Sequence, residues 1–314
     1  MKPAEPDGRQ FPVLEIGGGH VTGALIALSH DGRTARVVER IDASLDSHAS
    51  AHSLLDALAA PGMGVSARPG DDWVVAIPGP FDYDAGWGTF DGVAKFGALA
   101  RVDVRGELAR RLGCDGNRLH FVNDADAYGV GEWAFGGHGW PARFVCITLG
   151  TGVGSAFLTD GMPVTSGPHV PPDASAHLLE IDGRPLEDAV SSRAIVAEFA
   201  RRTGRHTTVE RIATDARNGN VVATAVLATA MRALGIALEP WINRFEASTL
   251  VIGGSIAQSW DIIERQLREA ITSPLHDDPP MLVHRSVLLD TAPLLGAASW
   301  LARTLTPTST RLAP

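Results

Sequence analysis

The stretch HFVNDADAYG, residues 120–129, places three polar side chains directly after an apolar run that is typical of the end of a buried strand. These side chains are Asn123, Asp124 and Asp126. A carboxylate at a strand end can cap the next helix, or it can act as a general base that takes a proton from a substrate. The residues leave both roles open for Asp124. Asp126 is interpreted as an acid in the first helical turn, where the helix dipole favours negative charge.

Three glycine-rich turns, each directly after an apolar strand, are candidates for phosphate binding. They are Gly17–Gly19, Gly150–Gly154 and Gly253–Gly254. Glycine lets the backbone approach a ligand closely, and successive N–H groups in a turn can bind an anion. The chain has no G-x-x-x-x-G-K-[ST], HRD or DFG element, which excludes P-loop and protein-kinase motifs. The second turn lies between two strands rather than before a helix, which argues against a dinucleotide-binding fingerprint.

The elements that must position these residues repeat along the chain. A strand, a glycine turn and a second strand occupy residues 11–33 and again 142–164, and an Asp-Gly turn signal follows each pair. Residues 165–184 indicate a long irregular loop, a kind of segment that is usually functional. Apolar spacing predicts helices over 49–60, 103–113, 185–203, 222–247 and 292–304. The pattern predicts two related α/β lobes that face a cleft.

The composition is that of a globular protein from a reducing, cytoplasmic compartment. The chain has 314 residues, a formal net charge of −9 and two cysteines, Cys114 and Cys146. The negative charge argues against nucleic-acid and anionic-membrane partners, and two cysteines cannot build a disulfide framework. No apolar stretch is expected to reach the roughly 20 residues that span a bilayer. Residues 1–10 are expected to form a short disordered lead-in.

Six segments together resemble the ROK family of sugar kinases and repressors. In chain order they are LEIGGGHVTGALIALSHDG, AIPGPFD, FVNDADAYGVGE, TLGTGVGSAFLTDG, GRPLEDAVS and LVIGGS. The resemblance covers residues 11–304 and is most specific in the N-D-A block and the T-x-G-T-G-x-G hairpin. It implies an α/β, two-lobed actin-like ATPase (ribonuclease H-like) fold with a central cleft. The smaller N-terminal lobe would comprise 11–121 joined by the helix at 292–304, and the larger C-terminal lobe would comprise 122–291.

The resemblance also implies roles for individual residues. Asn123 is similar to the family's sugar-binding asparagine and Asp124 to its catalytic base, while His177 and Glu187 are similar to later sugar-contacting residues. Mg²⁺ would accompany ATP, with Glu15 reaching the metal through a water molecule. The residues expected to bind ATP are Gly17, Gly18, Gly19, Thr148, Gly150, Thr151, Gly152, Gly253 and Gly254.

The first glycine turn and the segment before Glu187 depart from the family pattern. Glu15 and His20 stand where such kinases usually have Asp and Lys. The longer side chain of Glu15 changes the geometry at the metal, and His20 offers less positive charge to the phosphate than a lysine would. The zinc-binding cysteine motif of many members is missing before Glu187, so no zinc is expected. Packing of leucines 178, 179 and 186 is expected to hold that loop instead.

Two further departures concern the sugar. Ala174 stands in place of a sugar-binding glutamate, and His177 or, alternatively, His169 would face the sugar. The segment DGVAKFGALARVDVR places Lys95 where the substrate wall is expected, so Lys95 is a candidate substrate-binding residue. These changes suggest a modified hexose, an amino sugar or a carbocyclic analogue rather than plain glucose.

Two function classes remain open. The first is an ATP-dependent kinase of a hexose or sugar-like substrate, with Asp124 as the general base. The second is a catalytically weakened relative that binds a sugar or nucleotide as a sensor or partner protein, for which Glu15, His20 and Ala174 argue. Polyphosphate as the phosphoryl donor ranks last because the chain has no basic groove signature. A homodimer is expected from the resemblance alone.

Overall fold

The computed structural model describes residues 8–92, 95–271 and 281–306. The chain divides into two compact units. Unit 1 contains the residues up to Gly137 together with those from Asp290 onward, and unit 2 runs from His138 to Leu289. Each unit contains one five-stranded mixed sheet and the helices that pack on it.

The strands are numbered in chain order. Unit 1 contains β1 (Gly8–Ile16), β2 (His20–Ser29), β3 (Ala35–Ser44), β4 (Trp73–Ile77), β5 (Phe81–Asp82), β6 (Trp87–Gly88) and β7 (Leu119–Asn123). Unit 2 contains β8 (Arg143–Leu149), β9 (Val153–Thr159), β10 (Met162–Pro163), β11 (Glu180–Ile181), β12 (Arg184–Pro185), β13 (Thr249–Gly253) and β14 (Leu282–Arg285).

The α-helices are numbered in the same way. Unit 1 contains α1 (Ala51–Met63), α2 (Val104–Leu112), α3 (Asp124–Phe135) and the C-terminal α9 (Ala292–Leu305). Unit 2 contains α4 (Glu187–Val190), α5 (Ser192–Thr203), α6 (Val209–Arg217), α7 (Val221–Phe245) and α8 (Trp260–Ala270).

The sheet of unit 1 brings the ends of two distant segments to one edge. Its order is β3-β2-β1-β4-β7, with β1, β2 and β3 antiparallel and β1, β4 and β7 parallel. All residues of β4 are buried, as expected for an inner parallel strand covered on both faces. Because β1 and β7 run in the same direction, the glycine turn after β1 and the start of α3 after β7 lie at the same edge.

The sheet of unit 2 has the same plan. Its order is β10-β9-β8-β13-β14, with an antiparallel hairpin on one side of β8 and parallel strands on the other. The turn after β8 and the turn after β13 therefore lie at one edge of this sheet. The strand, turn and strand repeat that the sequence predicts is confirmed.

The division into units differs from the expected domain boundary. In the structure, the boundary follows Gly137 rather than residue 121, because α3 packs closely on α9. Glycines make this approach feasible: a Cβ on Gly296 would overlap the Ala127 carbonyl, and one on Gly131 would overlap the Ala292 carbonyl. Residues 124–135 thus share a core with the C-terminal helix.

Three other expectations are corrected. The lead-in was expected to extend to residue 10, but β1 begins at Gly8, where it pairs with Ser29; residues 1–7 lie outside the described part of the chain. The helix expected over 185–203 is two helices, since extended backbone at Ser191 ends α4 and the Ser191 hydroxyl caps α5. Helix α6 was not expected.

Helix α7 contradicts the expectation that no apolar stretch reaches the length of a membrane span. It has 25 residues and meets the length and composition of a bilayer-crossing helix, the one such helix in the described ranges. Half of its most apolar stretch is buried, and residues such as Met231, Leu234 and Leu238 lie in the core of unit 2. A core helix meets the same test, so α7 is weak evidence for a membrane span.

We expect Gly296→Ala to lower the free energy of unfolding by about 1–3 kcal/mol, because the added methyl group overlaps backbone atoms of α3. The higher helix propensity of alanine offsets only about 1 kcal/mol of this cost. Urea unfolding followed by tryptophan fluorescence measures the change. Gly97→Ala is the control, since its Cβ meets open space. A Gly296→Ala protein as stable as the Gly97→Ala protein would contradict the close helix packing.

Candidate active site

Asn123 is the N-cap of α3. Its side-chain oxygen accepts hydrogen bonds from the amides of Ala125 (2.9 Å) and Asp126 (3.2 Å), and its amide nitrogen donates to the Tyr83 hydroxyl at 2.8 Å. The Tyr83 hydroxyl in turn donates to the Ile77 carbonyl at 3.3 Å. The sequence allows Asp124 to be the helix cap or a general base, and the structure shows that Asn123 is the cap. One N–H of its amide is left to contact a ligand.

Asp124 is the first residue of α3, and its carboxylate accepts a hydrogen bond from the Ala125 amide at 2.9 Å. Desolvation of the carboxyl, together with the nearby charge of Glu15, raises its pKa to about 6. Hydrogen bonds from backbone amides and the charge of Lys95 oppose the rise. A carboxyl with this pKa is mostly ionised at neutral pH and still basic enough to take a proton, which is what a general base requires.

Asp126 lies in the first turn of α3, and its side chain is buried. Its residue is 9% exposed, and burial and the charge of Asp124 raise its pKa to about 7. Among the described residues, no donor lies within hydrogen-bond distance of its carboxyl group. The sequence contained a signal for this burial, because DADAYGVGEWAF has small or apolar residues on nearly every side of the helix.

Glu15 and His20 form an ion pair across the first glycine turn. Glu15 is 9% exposed, and its Oε2 lies 2.9 Å from His20 Nε2. The hydrogen bond that the His20 ring donates to Glu15 raises the pKa of His20; burial opposes the rise, and the charges of Glu15 and Asp42 add to it. The His20 ring fills the space beside Gly17. The residue expected to reach a metal is thus already in contact with a base that can become a cation.

Lys95 lies against the first glycine turn. A Cβ on Gly18 would overlap the Lys95 ammonium group and would lie 2.7 Å from its Cε. Glycines 17, 18 and 19 all lie outside the left-handed φ region, so the turn itself does not demand glycine. The small residues instead leave space for neighbouring groups at the turn.

In unit 2, the expected nucleotide-binding residues come together at one edge of the sheet. Thr148 pairs with Gly253 across β8 and β13, and the Gly150 amide donates to the Gly152 carbonyl at 3.0 Å. Gly254 has a φ of 80° and lies so close to the Leu149 backbone that a Cβ would overlap it. Glycine is therefore required at residue 254 for both conformation and space. The remaining residue of the set, Thr151, is exposed in this turn.

The expected sugar-contacting residues of unit 2 lie in different surroundings. Glu187 begins α4, and its Oε2 lies 3.2 Å from the position of a Cβ on Gly152. His177 is exposed and has no hydrogen-bond partner among the described residues. His169 Nδ1 lies 3.0 Å from the Arg244 carbonyl oxygen, a contact that ties its loop to α7. His177 is therefore the freer of the two histidines.

The loop before Glu187 is held partly as expected. Leu179 and Leu186 are buried, and the Leu186 amide donates to the Leu179 carbonyl at 2.7 Å. Leu178 is 47% exposed, so the expectation that it packs in the loop is wrong. In the described ranges, no group of three or more His, Cys, Asp or Glu side chains is arranged to hold a metal ion.

Two residues of the site were missed by sequence reasoning. Tyr83 follows the Pro-Gly-Pro turn after β4, and no motif in the sequence marks it as a site residue. Its contact with Asn123 joins residues far apart in the chain, and no local spacing predicts it. Asp126 is predicted only as an acid in the first helical turn, and its burial was missed.

We expect Asp126→Asn to stabilise the protein at pH 8 by about 1 kcal/mol or more and to have little effect at pH 4. The pKa values of Asp124 and Asp126 are raised above their unfolded values, so the native state binds more protons than the unfolded state between about pH 4 and 7. Stability therefore falls as pH rises through this range, and the neutral amide removes the contribution of Asp126. Urea unfolding at both pH values measures the difference.

The control for this prediction is Asp261→Asn, at an exposed first turn. The ion pair with Arg217 lowers the pKa of Asp261, so its contribution is present at high pH and this variant should lose stability at pH 8. An Asp126→Asn protein that is less stable than wild type at pH 8 would contradict the buried, uncompensated state of Asp126.

We expect Asn123→Ala to lower the free energy of unfolding by about 1 kcal/mol or more, because the cap of α3 is lost. Asn220→Ala is the matched control: Asn220 caps α7 through the amides of Val222 and Ala223, both at 3.0 Å. Asn123→Ala should cost more, since it also removes the donor to the Tyr83 hydroxyl. No loss at Asn123 beside a clear loss at Asn220 in urea unfolding would exclude the capping role.

Comparison with known proteins places the chain in a family. The ROK family matches over residues 13–304. A glucokinase of Thermotoga maritima is 26% identical over 251 residues, which is 72% of this chain and 77% of that protein.

Solved structures show the same fold. A ROK family glucokinase from Streptomyces griseus, in complex with glucose and AMPPNP, superposes with a TM-score of 0.71 at 20% identity over 94% of this chain and 100% of the other. A ROK family transcriptional regulator, a homologue of the E. coli MLC protein, gives 0.73 at 22% identity over 94% of this chain and 78% of the other. The chain has the actin-like ATPase fold of ROK sugar kinases, and it belongs to the ROK family.

Proposed function

We propose that the protein is an ATP-dependent kinase that phosphorylates a hydroxyl group of a hexose or a sugar-like molecule, with Asp124 as the general base. The observation that carries the proposal is that Asn123 caps α3, which leaves a carboxylate with a pKa of about 6 at the sheet edge where the first glycine turn lies. The homology to a glucokinase supports the same reaction class.

The proposed reaction needs alignment, charge neutralisation and one proton acceptor. As the substrate oxygen forms its bond to the terminal phosphorus, its proton passes to an Asp124 oxygen. The bond between that phosphorus and the bridging oxygen breaks, and ADP leaves. The remaining N–H of Asn123 would orient a neighbouring sugar hydroxyl, and His177 and Glu187 are proposed as further sugar contacts.

Backbone amides are proposed to bind the nucleotide. Gly17, Gly18 and Gly19 would supply donors for phosphate in unit 1. In unit 2, the turn after β8 and the turn after β13 would supply phosphate and adenosine contacts. The absence of a side chain at these positions lets the backbone itself face the ligand.

The acidic residues near the first turn fit a magnesium ion carried by the nucleotide. Mg²⁺ prefers oxygen ligands and is often held by one or two carboxylates together with substrate phosphates. Glu15 is buried with one oxygen paired to His20, and its charge acts on Asp124. When bound, the ion would neutralise charge on the phosphates. Glu15 would hold it through a water molecule.

A sensor without turnover is the second candidate. The Glu15–His20 ion pair favours it, because a protonated His20 competes for the carboxylate that would otherwise face the metal. The buried methyl group of Ala174 adds to this, since it offers no polar contact to a sugar. A cytoplasmic location and a homodimer remain part of the proposal for either candidate.

We expect ATP turnover with at least one member of a panel of hexoses, amino sugars and cyclitols, measured by coupled release of ADP. Polyphosphate should replace ATP poorly.

Asp124→Asn should lower kcat by about 10²–10⁴-fold while sugar affinity in calorimetry is retained, because only proton transfer is lost. For the wild type, kcat/KM should rise with pH up to about 6, as the base ionises, and then level off.

The control is Asp261→Asn, an exposed position in unit 2, which should keep the wild-type rate. Sugar or nucleotide binding without turnover across the panel would favour the sensor. An Asp124→Asn protein with the kcat of the wild type would refute the general-base role.

A further inference from the structure

Lys95 is an unusual residue in this chain. Of 27 lysines and arginines, 25 are arginine, and the lysines are Lys2 and Lys95. An ammonium group is a compact point charge with three donors, whereas guanidinium is a planar fork. Lysine binds phosphate as a point charge, so a lysine at this position is suited to meet an anionic oxygen group of a ligand.

The backbone beside Lys95 is anchored. The Phe96 amide donates to the Ser47 carbonyl at 3.0 Å, and the Phe96 ring is buried against Phe90 with centroids 5.7 Å apart. Gly97–Leu99 continues as one short 3₁₀ turn, with Leu99 buried. Lys95 thus extends from a fixed point of unit 1 rather than from a free loop tip.

The ammonium group reaches the first glycine turn. It occupies the space that a side chain at residue 18 would need, and Lys95 Cδ lies 2.9 Å from the position of a Gly18 Cβ. At Gly19, by contrast, a Cβ would meet nothing within 4 Å. The contact is therefore specific to the middle of the turn.

The charges around this ammonium group leave it available. Its charge acts on Asp124, yet it forms no ion pair with a carboxylate within the described ranges. Glu15, Asp124 and Asp126 make this edge of unit 1 acidic, and an approaching phosphate would be repelled unless a cation offset their charge. His20 lies against Glu15, so among the residues that the structure describes Lys95 is the cation at this edge that can meet the phosphate.

We propose that Lys95 binds the terminal phosphate of the phosphoryl donor at the Gly17–Gly19 turn and does not contact the sugar. The inference rests on the proposed kinase function and deepens it. The three glycines of the turn carry no charge. In this proposal, a lysine from another segment neutralises the charge of the phosphate. This role also replaces the expectation that Lys95 forms part of the sugar-binding wall.

Kinetics of three variants test the assignment. Lys95→Met should lower kcat/KM for ATP by about 10²-fold, as expected for the loss of one charged donor to a reacting phosphoryl group. Lys95→Arg should recover about tenfold of that loss, since charge is kept but geometry changes. Lys2→Met, the matched control, should match wild type. Sugar affinity measured by calorimetry without nucleotide should be unchanged in Lys95→Met.

Substitutions in the glycine turn provide a second test of the proposal. Gly18→Ala displaces the ammonium group, so it should lower kcat/KM for ATP more than Gly19→Ala does. Its effect should largely vanish in a Lys95→Met background, because the two changes remove one shared interaction. Additive losses would mean that the two positions act separately, and would overturn the inference.

A labelling arm does not depend on turnover. Acetylation by an N-hydroxysuccinimide ester, read by mass spectrometry, reports Lys95 and Lys2 separately. AMPPNP with Mg²⁺ should protect Lys95 and leave Lys2 reactive, while AMP, which lacks the terminal phosphates, should protect neither. Glucose alone should not protect Lys95.

The arms separate two failures. Absence of turnover by the wild type counts against the kinase proposal, while protection of Lys95 by AMPPNP would still support a phosphate contact. An active wild type whose Lys95→Met variant keeps its kcat/KM for ATP would overturn the assignment of Lys95. Protection by glucose, or loss of sugar affinity in Lys95→Met, would restore the sugar-wall role and equally overturn it.

Discussion

The cap of α3 by Asn123 is the interaction on which the candidate site depends. A helix that begins directly at the end of a strand leaves amide groups without partners, and a nearby side-chain oxygen must accept from them. Asn123 does so with one oxygen and is itself held by Tyr83. Asp124 is consequently held in place by the first turn of the helix, while its carboxylate is not needed as the N-cap.

Charge at this edge of unit 1 is arranged so that few carboxylates are fully neutralised. Asp124 and Asp126 are withdrawn from water; the charge of Glu15 raises the pKa of Asp124, and the charge of Asp124 raises the pKa of Asp126. The basic groups beside them come from other segments: His20 from the start of β2 and Lys95 from the chain after β6. Such an arrangement destabilises the empty site and favours a ligand that brings compensating charge, which is a common feature of catalytic centres.

Much of the architecture could be predicted from the sequence because its signals are local. The glycine turns after apolar strands, the polar run after β7 and the C-terminal helix all depend on spacing within a few residues. The repeat of these signals in both halves predicted related sheets, and both sheets have the same strand order. Helix ends were less accurate where a single residue such as Ser191 interrupts an otherwise helical pattern.

Tertiary placement accounts for what could not be predicted. The contact of Lys95 with Gly18 and that of Tyr83 with Asn123 each join separate segments, and neither is encoded in a nearby pattern. Helix α3 belongs to unit 1 because Gly131 in α3 and Gly296 in α9 let the two helices pack closely, although they are far apart in the sequence. Asp126 is likewise buried, although its place in the first helical turn predicts only an acid that the helix dipole favours.

The protonation of Asp124 itself tests the account most directly, because it needs neither substrate nor turnover. Carboxyl ¹³C resonances of aspartate-labelled protein, with Asp124 assigned by its loss in Asp124→Asn, can be followed from pH 3 to pH 8. The account predicts a titration midpoint at about 6. A midpoint below about 4, near or under the ordinary aspartate value, would show a carboxylate stabilised by amides as a cap and would contradict its role as a base.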